Sequence, residues 1–457
     1  MRRYIRYLYA ISLVVSSLLL ASCGQDRSGE YYALIGAKTW MYEVMQQHYL
    51  FYEDLPAEEE LNFFDKPEDF LQSVVSSQDQ KNGSVFSHID SVNVSRVQSD
   101  YPTFGLEGAL VRNANGDYVV HILYVYPDSP AAEVGLKRDD WVVDVDGRAL
   151  NTSNYTEYFQ RPVSSYRYRV ATVKDGLPDT SYIDMPAPRI IDQPSVFTYK
   201  TISAGGRTAF YILYNSFETA DEDLLKAAFN EAAAQSPTDI ILDLRYNPGG
   251  YVSTAQLLST ILAPQGTMGQ TWMNMIFNDK TEPQTQAYTF DSSLLQGVSN
   301  LSYDRLYVIT TNNTASAAEI IVNTLRPYLG DKLLQVGAST FGKNMAQSLF
   351  TDEAYPQLEF WLTTAYVSNS EGFYEYYDNG LQPDYEAEED LTATLGEFGT
   401  EQDSLMVPVL YHLEHGTFPV TGSEQDVQSR NHWFNKQKEV VYNPIARKPR
   451  RSQFNIR

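Results

Sequence analysis

Apolar positions along this chain change their period twice, and each change marks a new kind of segment. Between residues 31 and 89 they recur every three to four residues: Ala37, Trp40, Met41, Val44, Met45 and Tyr49, then Phe70, Leu71, Val74 and Val75 behind Pro67-Glu68-Asp69. That spacing predicts two helices, the second opened by its proline, with the aromatic stripe facing a core rather than a ligand. Near Ser95 the pattern shortens to β-type runs at 109–111, 118–125 and 141–145, with Asn115-Gly116-Asp117 as a hairpin turn and a helix start at 127–132. More short strands are expected over 155–183, and Pro186-Ala187-Pro188 reads as a linker.

From Phe210 the chain alternates. Strand patterns at 210–214, 239–244, 306–309 and 333–336 enclose helical ones at 220–235, 252–262 and from Ile320 to Leu325. This β-α-β order predicts an α/β core with a mixed or largely parallel sheet, its active residues on loops at strand ends. Residues 264–304 interrupt the core and read as an excursion over the cleft; 358–367 is a further strand, and 407–413 a last helix.

One strand-to-helix turn carries candidate chemistry. Asn313-Thr314-Ala315-Ser316-Ala317-Ala318-Glu319 sets a hydroxyl among small side chains just where the helix 320–325 begins. Unpaired amides at a helix start point toward any oxyanion formed beside Ser316. The plainer alternative is that Thr314 or Ser316 only caps the helix. A serine nucleophile needs a base, and none of the six histidines (48, 88, 121, 412, 415 and 432) lies between residues 200 and 385. Lys343 does, in a glycine-flanked turn after strand 333–336. A desolvated lysine with a polar partner can act as the base, and Gln347 could orient its amine.

The segments TASAAEI (314–320), TFGKNMAQ (340–347) and DLRYNPGG (243–250) resemble, in order, the three signature segments of the carboxyl-terminal processing peptidases, or tail-specific proteases. The resemblance spans about residues 100–390. It implies Ser316 as nucleophile, Lys343 as general base, Gln347 as the residue that positions the lysine, and the amides of Ala317 with Gly249 or Gly250 as the oxyanion hole. Ala318 stands where the family often has a second serine, and Asn344 where it has glycine. SPAAEVGLKRDDWVVDVDGRAL (129–150) resembles the heart of a PDZ domain, with Phe104-Gly105-Leu106 as its carboxylate loop and Asp139 in place of a common glycine. Such a domain takes peptide tails by strand addition, or only gates the active site. Asp243 and Arg245 read as a structural pair.

The first residues change where such a protein would work. Arg2, Arg3 and Arg6 precede a short apolar run, then Leu20-Ala21-Ser22-Cys23, which resembles a bacterial lipobox. Cys23 is the only cysteine, so no disulfide can form and the thiol stands where lipid would be attached. An ordinary cleaved signal peptide is the alternative. The expected layout is leader 1–23, tether 24–30, helical domain 31–98, PDZ-like domain 99–185, Ser-Lys peptidase core 190–395, and a helix with basic tail 396–457.

A net charge of -24 over 457 residues argues against nucleic acid. Against that acidity, Arg447, Lys448, Arg450, Arg451 and Arg457 make the end basic. It reads as a solvated tail, with contact to an acidic face of its own chain or to lipid headgroups as the alternative. No metal-ligand spacing or phosphate loop is present, so no cofactor is implied. The expected function is a lipid-anchored envelope serine endopeptidase acting on protein or peptide tails, with a homo-oligomer or adaptor protein as possible partners. Its rivals are a peptide-binding lipoprotein that has lost turnover, and another amide or ester hydrolase on the same scaffold.

Overall fold

The computed structural model describes residues 28–91, 98–113, 116–174, 177–420, 439–449 and 451–454. The leader, Cys23, most of the tether and residue Asn115 lie outside them. No helix among the described residues is long and apolar enough to cross a membrane.

The α/β core has a six-stranded sheet in the order Val196–Ala204, Arg207–Tyr214, Asp239–Asp243, Arg305–Thr310, Leu333–Gly337, Tyr385–Glu386. Its first pair is antiparallel and every later pair parallel, as the βα alternation predicts. Strand Asp239–Asp243 is buried along its whole length, which is why it reads as an unbroken apolar run. Helices Glu222–Gln235, Val252–Leu262 and Ala317–Leu329 cover the sheet through Leu225, Phe229, Leu258, Ile321 and Leu325, all fully buried. Pro327 sits inside the last helix and cannot donate to the carbonyl of Asn323. That carbonyl accepts from Asn369 Nδ2 instead, at 3.4 Å.

A second, seven-stranded sheet runs Gly249–Tyr251, Arg451–Phe454, Met345–Phe350, Leu358–Ser368, Thr271–Phe277, Thr285–Thr289, with His88–Ser91 also on Leu358–Ser368. It corrects two expectations. Residues 264–304 are not merely an excursion, because their hairpin Thr271–Thr289 extends this sheet. The basic tail is not wholly solvated: Arg451–Phe454 lies between two strands and Gln453 is buried, although Arg447 is exposed; Arg450 and Arg457 lie outside the described residues.

The helical region begins at Ser28, inside the expected tether. Its helices Ser28–His48 and Pro67–Val74 close one core with Met41, Met45, Tyr49 and Phe70 against Ala315, Phe341 and Met345. The aromatic stripe is therefore core, and it buttresses both candidate catalytic loops.

The PDZ region is a third sheet, Leu106–Arg112, Tyr118–Val125, Trp141–Val145, Arg167–Lys174, Leu177–Asp184, edged by Glu439–Tyr442 from the chain end. Residues 155–160, expected as strand, form a short helix. Asp139 has φ +74, the left-handed turn that explains why glycine also suits the position. Its carboxylate faces His121 at 2.9 Å and accepts from the Leu395 amide at 3.0 Å, tying this sheet to the core. The helix expected at 407–413 is Met406–His415.

Candidate active site

Ser316 is fully buried at the start of helix Ala317–Leu329, with φ +64 and ψ -121. Side-chain-bearing residues rarely adopt that conformation, and holding it costs about 1–3 kcal/mol. What over-determines it is Glu319. One oxygen of this buried carboxylate accepts from the amide of Ser316 at 2.6 Å and from the amide of Lys343 at 2.8 Å. The other accepts from the amide of Gly342 at 2.6 Å and the hydroxyl of Thr340 at 2.5 Å. Burial pushes the Glu319 carboxyl up, while these four donors pull it down. One side chain thus clasps two loops that are remote in sequence. Gly342 has φ +98, and a Cβ there would fall 2.3 Å from the carbonyl oxygen of Tyr377, so only glycine permits this turn.

Lys343 is fully buried, and its Nζ donates to Gln347 Oε1 at 2.6 Å. Gln347 lies on strand Met345–Phe350, so the lysine turn and its amide partner are locked together by sheet pairing. The amide is oriented at its other end too: Nε2 donates to Thr363 Oγ1 at 3.0 Å, and Thr363 Oγ1 donates to Asp79 Oδ1 at 2.5 Å. Tyr49 donates to the other oxygen of Asp79 at 3.1 Å. Burial pushes the Asp79 carboxyl up to about 6, against hydrogen bonds from Ser87, Thr363 and Tyr49 and a charge on Lys343 that pull it down. Phe86 presents its ring 5.0 Å from Lys343 Nζ.

Of the two glycines expected at the oxyanion hole, one is already committed. The amide of Gly249 donates to Asn247 Oδ1 at 2.9 Å, while Gly250 lies opposite Ser452 in the second sheet. A Cβ on Gly250, at φ +142, would fall 2.3 Å from the carbonyl oxygen of Phe217. Asn247 ties this turn to the serine turn, its carbonyl accepting from Ala315 N at 3.0 Å. Among the described residues the Ala317 amide has no backbone acceptor, as befits the first turn of a helix. Asn344, in place of the usual glycine, donates to the carbonyl of Tyr374 at 2.6 Å. Thr314 spends its hydroxyl on the carbonyl of Leu244 at 2.8 Å.

Asp243 and Arg245 pair structurally, as expected. Arg245 Nε meets Asp243 at 2.9 Å and Nη2 meets Asp403 at 2.7 Å, while Nη1 meets Glu389 at 2.9 Å. Arg138 of the PDZ region joins Glu389 at 2.6 Å. Burial would raise the Glu389 carboxyl, but the two arginines and the hydroxyl of Tyr246 hold it down to about 2.

The carboxylate loop is less open than expected. Phe104 is buried edge-on against Tyr166 and Tyr168, and the Gly105 amide donates to Thr103 Oγ1 at 3.1 Å. Gly105 and Leu106 do line a cavity of ≈ 430 Å³, shared with Tyr442, Arg447 and Lys448.

The profile of peptidase family S41 matches residues 209–387, that of the S41 N-terminal domain residues 36–88, and a PDZ profile residues 121–163. A crystal structure of a Bacteroides fragilis protein assigned to the S41 proteases superposes with a TM-score of 0.72 at 32% identity, covering 83% of this chain and 97% of that one. This chain belongs to peptidase family S41. Among curated S41 relatives, the carboxyl-terminal-processing proteases of Picosynechococcus and Synechocystis are each 25% identical, over 51% and 49% of this chain and 52% and 49% of their own. The chain thus spans about half the length of the curated relatives it matches. Sequence reasoning missed two residues of this candidate site. Glu319 was visible beside Ser316, but only its clasp on the lysine turn gives it a role; Asp79 comes from the N-terminal region and carries no local signal.

Proposed function

We propose that this chain is a serine endopeptidase in which Ser316 is the nucleophile and Lys343 the general base. The observation that carries the reading is the shared acceptor: the backbones of Ser316 and Lys343 hang from one oxygen of Glu319. The neutral Lys343 amine takes the proton of the Ser316 hydroxyl as Oγ attacks the scissile carbonyl. The amides of Ala317 and Gly250 hold the oxyanion, and the leaving amine takes its proton from Lys343. Water then cleaves the acyl-enzyme with Lys343 again as base. Desolvation opposes the ammonium form of a buried lysine, the form a base must avoid.

In this reading the PDZ domain delivers polypeptide tails to the cleft, and acylated Cys23 holds the enzyme on a bacterial envelope membrane. A second reading, a peptide-binding lipoprotein without turnover, is favoured by one observation: strand Arg451–Phe454 lies against Gly249–Tyr251, the strand that holds the candidate oxyanion glycine.

The test is mass-spectrometric cleavage of unstructured polypeptides by protein beginning at Gly24, beside Ser316→Ala and Lys343→Ala. Peptide products abolished by both substitutions support the peptidase. Binding of the same polypeptides without products in any form supports the second reading.

A further inference from the structure

The end of the chain makes two strand pairings in succession, and both fall on surfaces that a substrate would need. Glu439–Tyr442 adds antiparallel to Leu106–Arg112, the strand that follows the expected carboxylate loop, with Glu439 opposite Arg112 and Tyr442 opposite Leu110. Its occupation is specific on both sides. The hydroxyl of Tyr442 accepts from Gln160 Nε2 at 2.6 Å, and its ring stands 4.8 Å from that of Tyr155. Residues 439–442 therefore lie between a strand and a short helix, the geometry of peptide capture by strand addition.

The chain then runs past Lys448, whose Nζ donates to Tyr124 OH at 2.9 Å and meets Glu107 at 3.3 Å. Lys448 and Pro449 share a cavity of ≈ 290 Å³ with Pro248, Gly249 and Gly250. Next, Arg451–Phe454 enters the second sheet. It pairs parallel with Gly249–Tyr251 on one side, Ser452 opposite Gly250, and parallel with Met345–Phe350 on the other, Gln453 opposite Gln347. One wall of this slot carries the candidate oxyanion glycine, and the other carries the residue that orients Lys343. Strands in a sheet lie about 4.8 Å apart, so a gap bridged by one strand is about 10 Å wide and fits only an extended polypeptide. Past the slot, Phe454 stacks edge-on with Tyr288 at 5.0 Å and lines a cavity of ≈ 850 Å³ beside Phe277 and Ser348.

We propose that residues 439–449 and 451–454 are a built-in ligand of this protein, filling the PDZ groove and the catalytic slot in one pass, so that a substrate polypeptide must displace them. The inference rests on the cleft being the substrate site proposed above. It also names the chemistry that competes: an extended segment with an aromatic residue for the PDZ groove, a cation facing Glu107, and a second aromatic residue for the ≈ 850 Å³ cavity. A tethered segment acts at an effective concentration of about a millimolar, so a free peptide of ordinary micromolar affinity is excluded by mass action.

The test uses the full chain in two backgrounds, Ser316→Ala for binding and wild type for turnover. Ser452→Pro removes an N–H from a strand paired on both edges, and Tyr442→Ala removes the anchor at the PDZ groove. A fluorescent peptide with the sequence of residues 439–457 is titrated into each form, and an internally quenched polypeptide reports cleavage. Release of the strap is expected to tighten peptide binding about tenfold or more and to raise kcat/KM mainly through a lower KM. Tighter binding without cleavage in any form upholds the strap and removes the peptidase reading. Equal binding to strapped and released forms, or binding to none, overturns the strap.

Discussion

Two buried sites in this protein each enclose cations, and they treat them in opposite ways. At the joint between the PDZ domain and the core, Arg138 and Arg245 face three carboxylates, Asp243, Glu389 and Asp403. At the cleft, the amine of Lys343 is directed onto the neutral oxygen of Gln347 beside the ring of Phe86. Opposite charges in contact make a permanent joint, because a buried guanidinium paired on all its edges has no reason to lose a proton or move. An amine held by an amide is fixed in place while its proton stays exchangeable. The difference separates a cation kept for geometry from one that the proposed mechanism uses for reactivity.

Replacing either cation should have the largest effect. Lys343→Arg keeps a long nitrogen-bearing side chain but cannot deprotonate, and turnover should fall about 10⁴-fold, as when a member of a catalytic unit is lost; single-turnover product analysis reads this directly. Arg245→Ala strands Asp243 and Asp403, while Glu389 keeps Arg138, and stability should fall by about 3–5 kcal/mol, seen as a lower denaturant midpoint.

The two sites should also respond to pH with opposite sign. Asp79 has its folded value near 6, above its ordinary 3.8. Its contribution is therefore fully present below pH 3.8 and lost as pH rises through 6, by about 3 kcal/mol. Glu389 has its folded value near 2, below its ordinary 4.5, so its contribution is present above pH 4.5 and lost as pH falls through 2. Urea titrations from pH 4 to pH 7 should show the Asp79 loss in the wild type and not in Asp79→Asn.

The smallest expected effect sharpens the account at the cleft. Gln347→Ala leaves Lys343 and Ser316 in place but removes the amide to which the amine donates, and kcat should fall about 10- to 100-fold, comparable to losing a partner that orients a ligand, with KM little changed. A loss as large as that of Lys343→Arg would mean that Gln347 touches the reacting atoms.

Much of the core was legible because its strands are buried on both faces and its helices show a single apolar stripe. The site motifs were legible for a local reason: Ser316 with Glu319 and Lys343 with Gln347 each lie within four residues. What stayed hidden was held together across the chain. Asp79 reaches the site through Thr363, and Arg138 reaches the core through Glu389. The C-terminal strand was hardest to read. Its residues have a tail's composition, and only two unpaired sheet edges elsewhere in the fold make them a strand.

The central claim is that Lys343 activates Ser316, and a serine-directed fluorophosphonate tests it most directly, applied to the Ser452→Pro form so that the slot is open. The account predicts one adduct, mapped to residues 314–320, whose formation rises with pH and disappears in Lys343→Ala and Lys343→Arg. Labelling of Ser316 at an unchanged rate without Lys343, or no labelling at all with the slot open, would contradict it.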